Sequence, residues 1–166
     1  PFVPEFAEAG FLAEVPEALQ DTDGIVQGAV DSATWGEELV AVPLFANVQL
    51  LWYRKSVAED LDLDLEKVTW DELIDTAKEN EKLLGVQGAK EESLAVWINA
   101  IMAPAGGEII MSDADRSDEI ELGLDSEEAK RAAEIISTIG KEGLGGPGLP
   151  TADENASMNL FQGEQG

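Results

Sequence analysis

The sequence contains neither cysteine nor histidine. Their absence excludes Ser-His-Asp and Cys-His nucleophilic catalysis, thiolate chemistry, and zinc or iron sites built on imidazole or sulfur. We therefore predict no catalytic residue, no metal site and no cofactor. The lack of cysteine does not assign the protein to the cytosol, because many exported proteins also have no disulfides.

Basic residues are scarce: 10 Lys and Arg stand against 35 Asp and Glu, which gives a net charge of −25 and a pI near 4.1. Nucleic-acid binding needs a basic surface that displaces counterions from phosphates, so nucleic acid is excluded as a partner. An anionic membrane surface is disfavoured for the same reason. We interpret the acidity as a solvated surface. No apolar run approaches the roughly 20 residues that a membrane-spanning helix needs.

Short apolar runs alternate along the chain with amphipathic helical segments, which predicts an α/β fold class. Residues 45–53 are dense in aromatic and aliphatic side chains and are predicted to form a strand. Its continuously apolar part, residues 50–53, suits burial on both faces. Capping residues predict helix starts at Thr69 and near Ser126. The apolar stretch 93–103 is predicted to be a buried helix, and residues 152–161 a last helix.

Other boundaries follow from glycine and proline. A turn at Gly36 is predicted to lead into a strand that ends at Pro43, which cannot donate a ladder hydrogen bond. The helix that begins at Thr69 is predicted to continue to Gly85, where glycine would end it. A short strand is predicted at residues 86–88.

Two motifs suggest a bound ion or phosphate, and both are incomplete. Residues 113–119 carry oxygen-bearing side chains at alternate positions, but Asp118 and Leu124 stand where a calcium-binding EF-hand loop has Gly and Glu. The glycines of residues 143–148 lack the Lys-Ser/Thr that follows them in a P-loop. We interpret the first segment as an acidic surface turn and the second as a flexible connector.

Paired carboxylates leave an enzymatic alternative open. Glycoside hydrolysis needs only two Asp or Glu side chains at a fixed separation. With 35 acidic residues in the chain, the choice of any one pair carries no information. A carbohydrate-active enzyme, or its binding module, therefore stands as the alternative function.

An aromatic ring and two amides on one short segment suggest sugar binding. Sugars present an apolar C–H face and a rim of hydroxyls, so their sites combine flat rings with side chains that both donate and accept hydrogen bonds. Phe45, Asn47 and Gln49 provide this combination, and strand alternation would point the two amides to the same side. The alternative is that they are ordinary residues at a sheet edge. Trp97 is either a core residue or a ligand platform.

The order of several short motifs resembles family 1 extracellular solute-binding proteins of ABC sugar transporters, in particular the maltose- and trehalose-binding group. The matching segments are EFAEAGFL at 5–12, ELVAVP at 38–43, LWYRK at 51–55, TWDEL at 69–73, GGE at 106–108 and FQGE at 161–164. Each motif alone is short, but the six occur in the family's order across nearly the whole chain.

The resemblance implies part of a two-lobed periplasmic-binding-protein-type (type II) fold, mainly its second lobe. Residues 1–45 are then expected to belong to the first lobe, 46–49 to form a strand that crosses the hinge, and 50–166 to form most of a truncated second lobe. Both ends of the chain look cut, so we expect an excised segment of a longer parent protein.

The resemblance also implies ligand-binding positions. Asn47 matches the polar residue that family members place on the crossing strand, and Phe2 lies where relatives often have an aromatic residue of the cleft. Glu92 matches an acid in a motif whose usual aromatic residue is replaced here by Glu91, so a stacking contact is not expected there. With Phe45, Gln49 and Trp97, these residues complete the predicted site.

The implied function is binding of a sugar or oligosaccharide in a cleft by hinge closure, without a covalent step. The implied partners are that sugar and the membrane permease of an ABC importer. The implied location is extracellular, with the parent anchored to the cell membrane as a lipoprotein. Exposed apolar faces further predict that the isolated chain self-associates.

Overall fold

The computed structural model describes residues 2–111 and 120–163. The predicted acidic turn at 113–119 lies outside this part of the chain. The described residues divide into two compact units. The first contains residues 2–48, 110–111 and 120–122, and the second contains residues 49–109 and 123–163.

The first unit consists of short elements. Helix α1 spans Val3–Glu8, a 3₁₀ turn spans Glu17–Leu19, and helix α2 spans Gln27–Asp31. Strands β1 (Thr34–Trp35) and β2 (Glu38–Leu39) pair in antiparallel register. The turn between them contains Gly36, whose φ of 62° is readily adopted only by residues without a side chain.

The core of this first unit is small. Val15 and Ala33 are its buried apolar residues within the described chain. Three phenylalanines of the N-terminal region contact one another at the surface instead: the ring centroids of Phe2 and Phe6 lie 6.1 Å apart, and those of Phe6 and Phe11 lie 6.3 Å apart. With so little apolar area removed from water, we expect this unit to be the less stable of the two.

The second unit contains the longer helices. They are α3 (Lys55–Asp60), α4 (Trp70–Glu79), α5 (Glu92–Met102), α6 (Glu127–Lys141) and α7 (Glu154–Gln162). A 3₁₀ turn at Ala103–Ala105 follows α5, and another at Leu149–Thr151 precedes α7. Helices α4, α5 and α6 pack around one apolar core, in which Met102 and Ile139 have no exposed surface.

Side-chain caps explain where the later helices begin. Thr69 and Glu72 form the predicted capping box: the Thr69 hydroxyl accepts from the Glu72 N–H at 3.2 Å, and a Glu72 carboxylate oxygen accepts from the Thr69 N–H at 2.9 Å. The Ser126 hydroxyl caps α6, and the Asp153 carboxylate caps α7. The predicted helix starts at Thr69 and near Ser126 are therefore confirmed, whereas the last helix begins at Glu154 and not at residue 152.

The strand predicted over residues 45–53, and the burial predicted for its residues 50–53, are both wrong for this structure. Residues 42–54 form neither helix nor strand, and residues 44–53 are all exposed. Composition alone does not make a strand, because each strand needs a neighbour for its backbone groups. Within residues 2–111 and 120–163, no such neighbour lies beside this segment.

Three smaller expectations also need correction. The strand that follows the Gly36 turn is only the two residues of β2 and does not reach Pro43. Helix α4 ends at Glu79 rather than continuing to Gly85, because the chain turns at Asn80 and Glu81 takes a left-handed φ of 53°. Residues 86–88 form no strand.

Of the predicted α/β class, the described residues contain the helices but only little of the β-structure. The β-structure of the described residues consists of the β1–β2 hairpin and one antiparallel bridge between Ile110 and Leu122. The chain is mixed, with many helices and few strands. Among the helices of the described ranges, none is long and apolar enough to cross a membrane.

Candidate functional site

The candidate binding segment, residues 44–53, joins the hairpin of the first unit to helix α3 of the second. Its side chains are uncharged, and its aromatic residues are open to solvent: Phe45 and Trp52 are each 76% exposed. In a folded protein a ring that remains in water is available to stack on a ligand. Exposed apolar runs of this length are found at interaction surfaces and in aggregation-prone segments.

The amides of this segment are also available. Asn47 and Gln49 are both exposed, and neither side chain has a hydrogen-bond partner among the residues that the structure describes. Each amide offers two N–H donors and a carbonyl acceptor. Together with the Phe45 ring, they can contact an apolar face and bind hydroxyl groups of a small polar ligand.

Phe2 lies in the first unit, at the N-terminal cap of α1. Its ring is exposed and stacks on Phe6 with an angle of 23° between the ring planes. The structure therefore places Phe2 in a surface aromatic group with Phe6 and Phe11. Its predicted role as a cleft residue stays a prediction.

Glu92 and Trp97 lie on helix α5 of the second unit. Glu92 is exposed in the first turn, whereas Trp97 is only 5% exposed and belongs to the apolar core. Five positions separate them, which places them on different sides of the helix. The burial of Trp97 favours the core role over the ligand platform. Its indole N–H is buried without a hydrogen-bond partner in the described structure.

Arg54 is a residue that the sequence did not indicate. Its guanidinium donates to the backbone carbonyl oxygens of Phe161 and Gly163 at the end of α7, and lies over the Phe161 ring. It thus holds the residue that follows the candidate binding segment against α7, within the second unit. No local motif marks such a contact, because its partners lie more than a hundred positions away.

A small pocket lies between the 145–148 loop and α7, with a volume of about 80 Å³. Its lining includes glycine backbone, Val86, Ala156, Leu160 and the Ser157 residue, and no charged side chain. The Ser157 hydroxyl is buried without a partner in the described residues. The wall offers too few polar groups to recognise the hydroxyl rim of a sugar.

Shifted pKa values occur at surface contacts that stabilise helices. Hydrogen bonds from Thr69 lower the pKa of Glu72. The Glu142 carboxylate raises the pKa of Lys78, and Asp71 raises the pKa of Arg131. Each pKa shift is explained by a contact with a neighbouring side chain, so none of the three groups indicates general acid–base catalysis.

Metal ligation has no support in the described ranges. Within residues 2–111 and 120–163, no three Asp or Glu side chains come close enough together to hold an ion.

The chain belongs to the bacterial extracellular solute-binding protein family, which it matches over residues 1–166. Members of this family have a two-lobed fold of the periplasmic-binding-protein type, are generally not enzymes, and act outside the cytoplasm. They bind a solute and generally work with an ABC permease. The resemblance read from the six motifs is confirmed at the level of the family. The maltose- and trehalose-like subtype stays a prediction.

Proposed function

We propose that this chain is part of the sugar-binding component of an ABC importer. The observation that carries the proposal is the exposure of Phe45, Asn47 and Gln49 on one uncharged segment of a solute-binding protein. A ring with two neighbouring amides suits a ligand that has both an apolar face and hydroxyl groups. Amino acids and inorganic anions would instead call for charged contacts, and this segment has none.

In this proposal, residues 1–45 belong to one lobe, 46–49 cross the hinge, and 50–166 belong to the other lobe. A sugar that contacts both lobes favours the closed form only to the extent that it binds that form more tightly. Asn47 would bind a hydroxyl of the sugar from the crossing segment. Phe45 and Gln49 would support it, and Phe2 and Glu92 would contribute from the N-terminal region and from α5.

Calorimetry tests the proposal by measuring binding to a panel of oligosaccharides. Both this chain and the product of the longest reading frame that contains it are measured. We expect one class of sugar to bind, and we expect Asn47→Ala to weaken its binding by roughly tenfold, the effect of losing a hydrogen bond worth about 1 kcal/mol or slightly more. Asn99→Ala is the matched control, because Asn99 is an exposed amide on α5.

Chromatography of the sugar after incubation separates binding from hydrolysis. We expect the sugar to be recovered unchanged, and cleavage would favour the carbohydrate-active enzyme. If none of the sugars in the panel binds, the proposal that the ligand is a sugar is wrong. Equal affinity of the Asn47→Ala variant and the unmodified protein would remove Asn47 from the site.

The proposed partners and location follow from the same assignment. The sugar would be passed to a membrane permease, and the parent protein would be held at the outer face of the cell membrane by a lipid anchor. Membrane fractionation of the source cells, followed by detergent partition, tests the anchor. Recovery of the protein only in the aqueous phase would contradict it.

A further inference from the structure

The first unit has almost no positive charge. Residues 1–48 contain nine acidic residues and no Lys or Arg, and residues 110–122 contain five acidic residues beside a single arginine, Arg116. The nine acids of residues 1–48 are all exposed; they are Glu5, Glu8, Glu14, Glu17, Asp21, Asp23, Asp31, Glu37 and Glu38. Like charges gathered in one compact unit repel one another and destabilise it.

The second unit is better balanced. Residues 49–109 and 123–166 contain nine of the ten basic residues of the chain, against 21 acidic residues. Basic side chains there form ion pairs with acids from other helices or loops, as between Lys78 and Glu142 at 2.5 Å. Lys78 and Lys141 also lie in the last turns of α4 and α6, where the helix dipole favours a positive charge.

The helix ends of the first unit show the opposite arrangement. Glu8 and Asp31 are the last residues of α1 and α2, and neither helix has a basic residue in its last turn. A carboxylate at that end meets the negative pole of the helix dipole. The Asp31 carboxylate accepts a hydrogen bond from the Gln27 amide at 2.7 Å, but this donor is uncharged. The positions of the acids therefore add to the repulsion among them.

Little apolar burial is available to offset this repulsion. Val15 and Ala33 are the buried apolar residues of the first unit within the described chain, whereas the second unit has a cluster of ten buried residues. A compact unit of about 48 residues has a radius of gyration of about 10 Å. The Debye length is about 10 Å at 0.1 M salt and about 3 Å at 1 M. The repulsion therefore acts across the whole first unit in dilute salt and is screened in concentrated salt.

We propose that the first unit is a salt-dependent folding switch. It is ordered when concentrated salt screens its carboxylates, and it opens in dilute salt while the helical core of the second unit stays folded. Salt concentration then controls any function that needs the first unit. This behaviour is independent of sugar binding, and its test contains no sugar.

Hydrogen exchange of the 166-residue chain, followed by mass spectrometry of its peptides, tests the switch in a sodium chloride series. We expect the protection of amides in residues 27–40 to rise by roughly tenfold or more between about 0.1 M and about 1 M salt. This range includes the Val40 N–H, which donates to the Ala33 carbonyl at 2.9 Å. The amides of α6 are the internal reference and should change much less.

The reference also separates screening from salting-out. Salting-out strengthens apolar burial and so acts more on the unit with the larger core. A rise in protection that is as large in α6 as in residues 27–40 would therefore overturn the proposal. Full protection of residues 27–40 at every salt concentration would overturn it too.

A pair of double variants tests whether the carboxylates of the first unit are the cause. Glu14→Gln together with Glu37→Gln should lower roughly twofold the salt concentration at which half of the rise in protection is reached, because repulsion grows with the square of the charge. Glu66→Gln together with Glu108→Gln is the matched control, since it makes the same change in net charge at exposed acids of the second unit. Equal shifts in both variants would contradict a switch confined to the first unit.

The identity of the salt provides a last control. Screening depends on ionic strength, so potassium chloride should act like sodium chloride at equal concentration. Sucrose, which carries no charge, should not replace either salt. An effect of only one of the two cations would indicate a specific ion site and would overturn the screening mechanism.

Discussion

Arg54, the residue after the candidate binding segment, contacts Phe161 of the last described helix. The guanidinium carbon of Arg54 lies 5.6 Å from the centre of the Phe161 ring. The same guanidinium donates to the backbone carbonyl of Phe161, in the last turn of α7, and to that of Gly163, the C-cap residue that follows the helix. The contact therefore combines a cation–π interaction with a side-chain cap.

We predict that Arg54→Ala lowers the free energy of unfolding by about 1–3 kcal/mol, because charge-assisted hydrogen bonds to two carbonyls and the ring contact are lost together. Arg54→Lys should recover only part of the loss, since an ammonium lacks the planar fork that reaches both carbonyls. Urea unfolding followed by circular dichroism measures both variants.

Arg131→Ala is the control for this effect. Arg131 pairs with Asp71 at 2.6 Å and with Glu134 at 3.4 Å, and both acids are exposed. Surface ion pairs of this kind contribute about 0–1 kcal/mol. If Arg54→Ala lowers the free energy of unfolding no more than Arg131→Ala does, the contact of Arg54 with α7 stabilises the fold no more than a surface ion pair.

The capping box of α4 predicts a pH-dependent effect. Thr69→Ala should destabilise the helix by about 1 kcal/mol at neutral pH. Hydrogen bonds from Thr69 lower the pKa of Glu72 in the folded state, so the part of this stabilisation that comes from the Glu72 carboxylate is complete above the unfolded pKa of 4.5 and is lost as the pH falls through the lower folded pKa. The bond from the Glu72 N–H to the Thr69 hydroxyl does not titrate and remains in acid. The difference in stability between the parent chain and Thr69→Ala should therefore shrink in acid.

Carboxyl NMR titration tests the same contact directly. The pKa of Glu72 should rise in Thr69→Ala and stay unchanged in Thr138→Ala. Thr138 is a suitable control because its hydroxyl donates to the Glu134 carbonyl within α6 and does not contact Glu72. An unchanged Glu72 pKa in Thr69→Ala would show that the box does not form in solution.

Helix starts could be predicted from the sequence because their causes are local. Thr69, Ser126 and Asp153 each lie three residues before the N–H that they cap. The end of α4 was missed, since no glycine marks it: Glu81 adopts the left-handed conformation that glycine usually provides.

The candidate site was predictable only in part. The prediction of ligand binding rests on the residue types of Phe45, Asn47 and Gln49, and it stays a prediction whether or not the segment is a strand. Their backbone state was not predictable, because a strand forms only where a neighbour supplies hydrogen bonds. The burial of Trp97 and the contact of Arg54 with Phe161 depend on residues far away in the chain, and periodicity carries no information about such pairs.

Gly88 has a close neighbour that only the folded structure reveals. A Cβ added at this position would overlap the carbonyl oxygen of Leu149 and lie 2.7 Å from its Cδ1 atom. Gly88→Ala should therefore lower the free energy of unfolding by about 1–3 kcal/mol through overpacking. Gly148→Ala should change it by less than about 0.5 kcal/mol, because nothing lies within 4 Å of a Cβ there. Thermal unfolding compares the two, and equal midpoints would contradict the close approach.

Ile139 tests whether the core of α4, α5 and α6 holds the second unit together. It has no exposed surface and lies in the same apolar cluster as Met102 and Trp97. Ile139→Ala should lower the free energy of unfolding by about 2–5 kcal/mol, and Ile139→Val by about 0.5–1.5 kcal/mol, because each substitution removes buried carbon atoms and leaves a cavity. Leu124→Ala is the control, since Leu124 is about half exposed. Urea unfolding followed by helical circular dichroism should report this order. A similar small cost for all three variants would mean that the cluster is loosely packed and that α6 is not held by its apolar face.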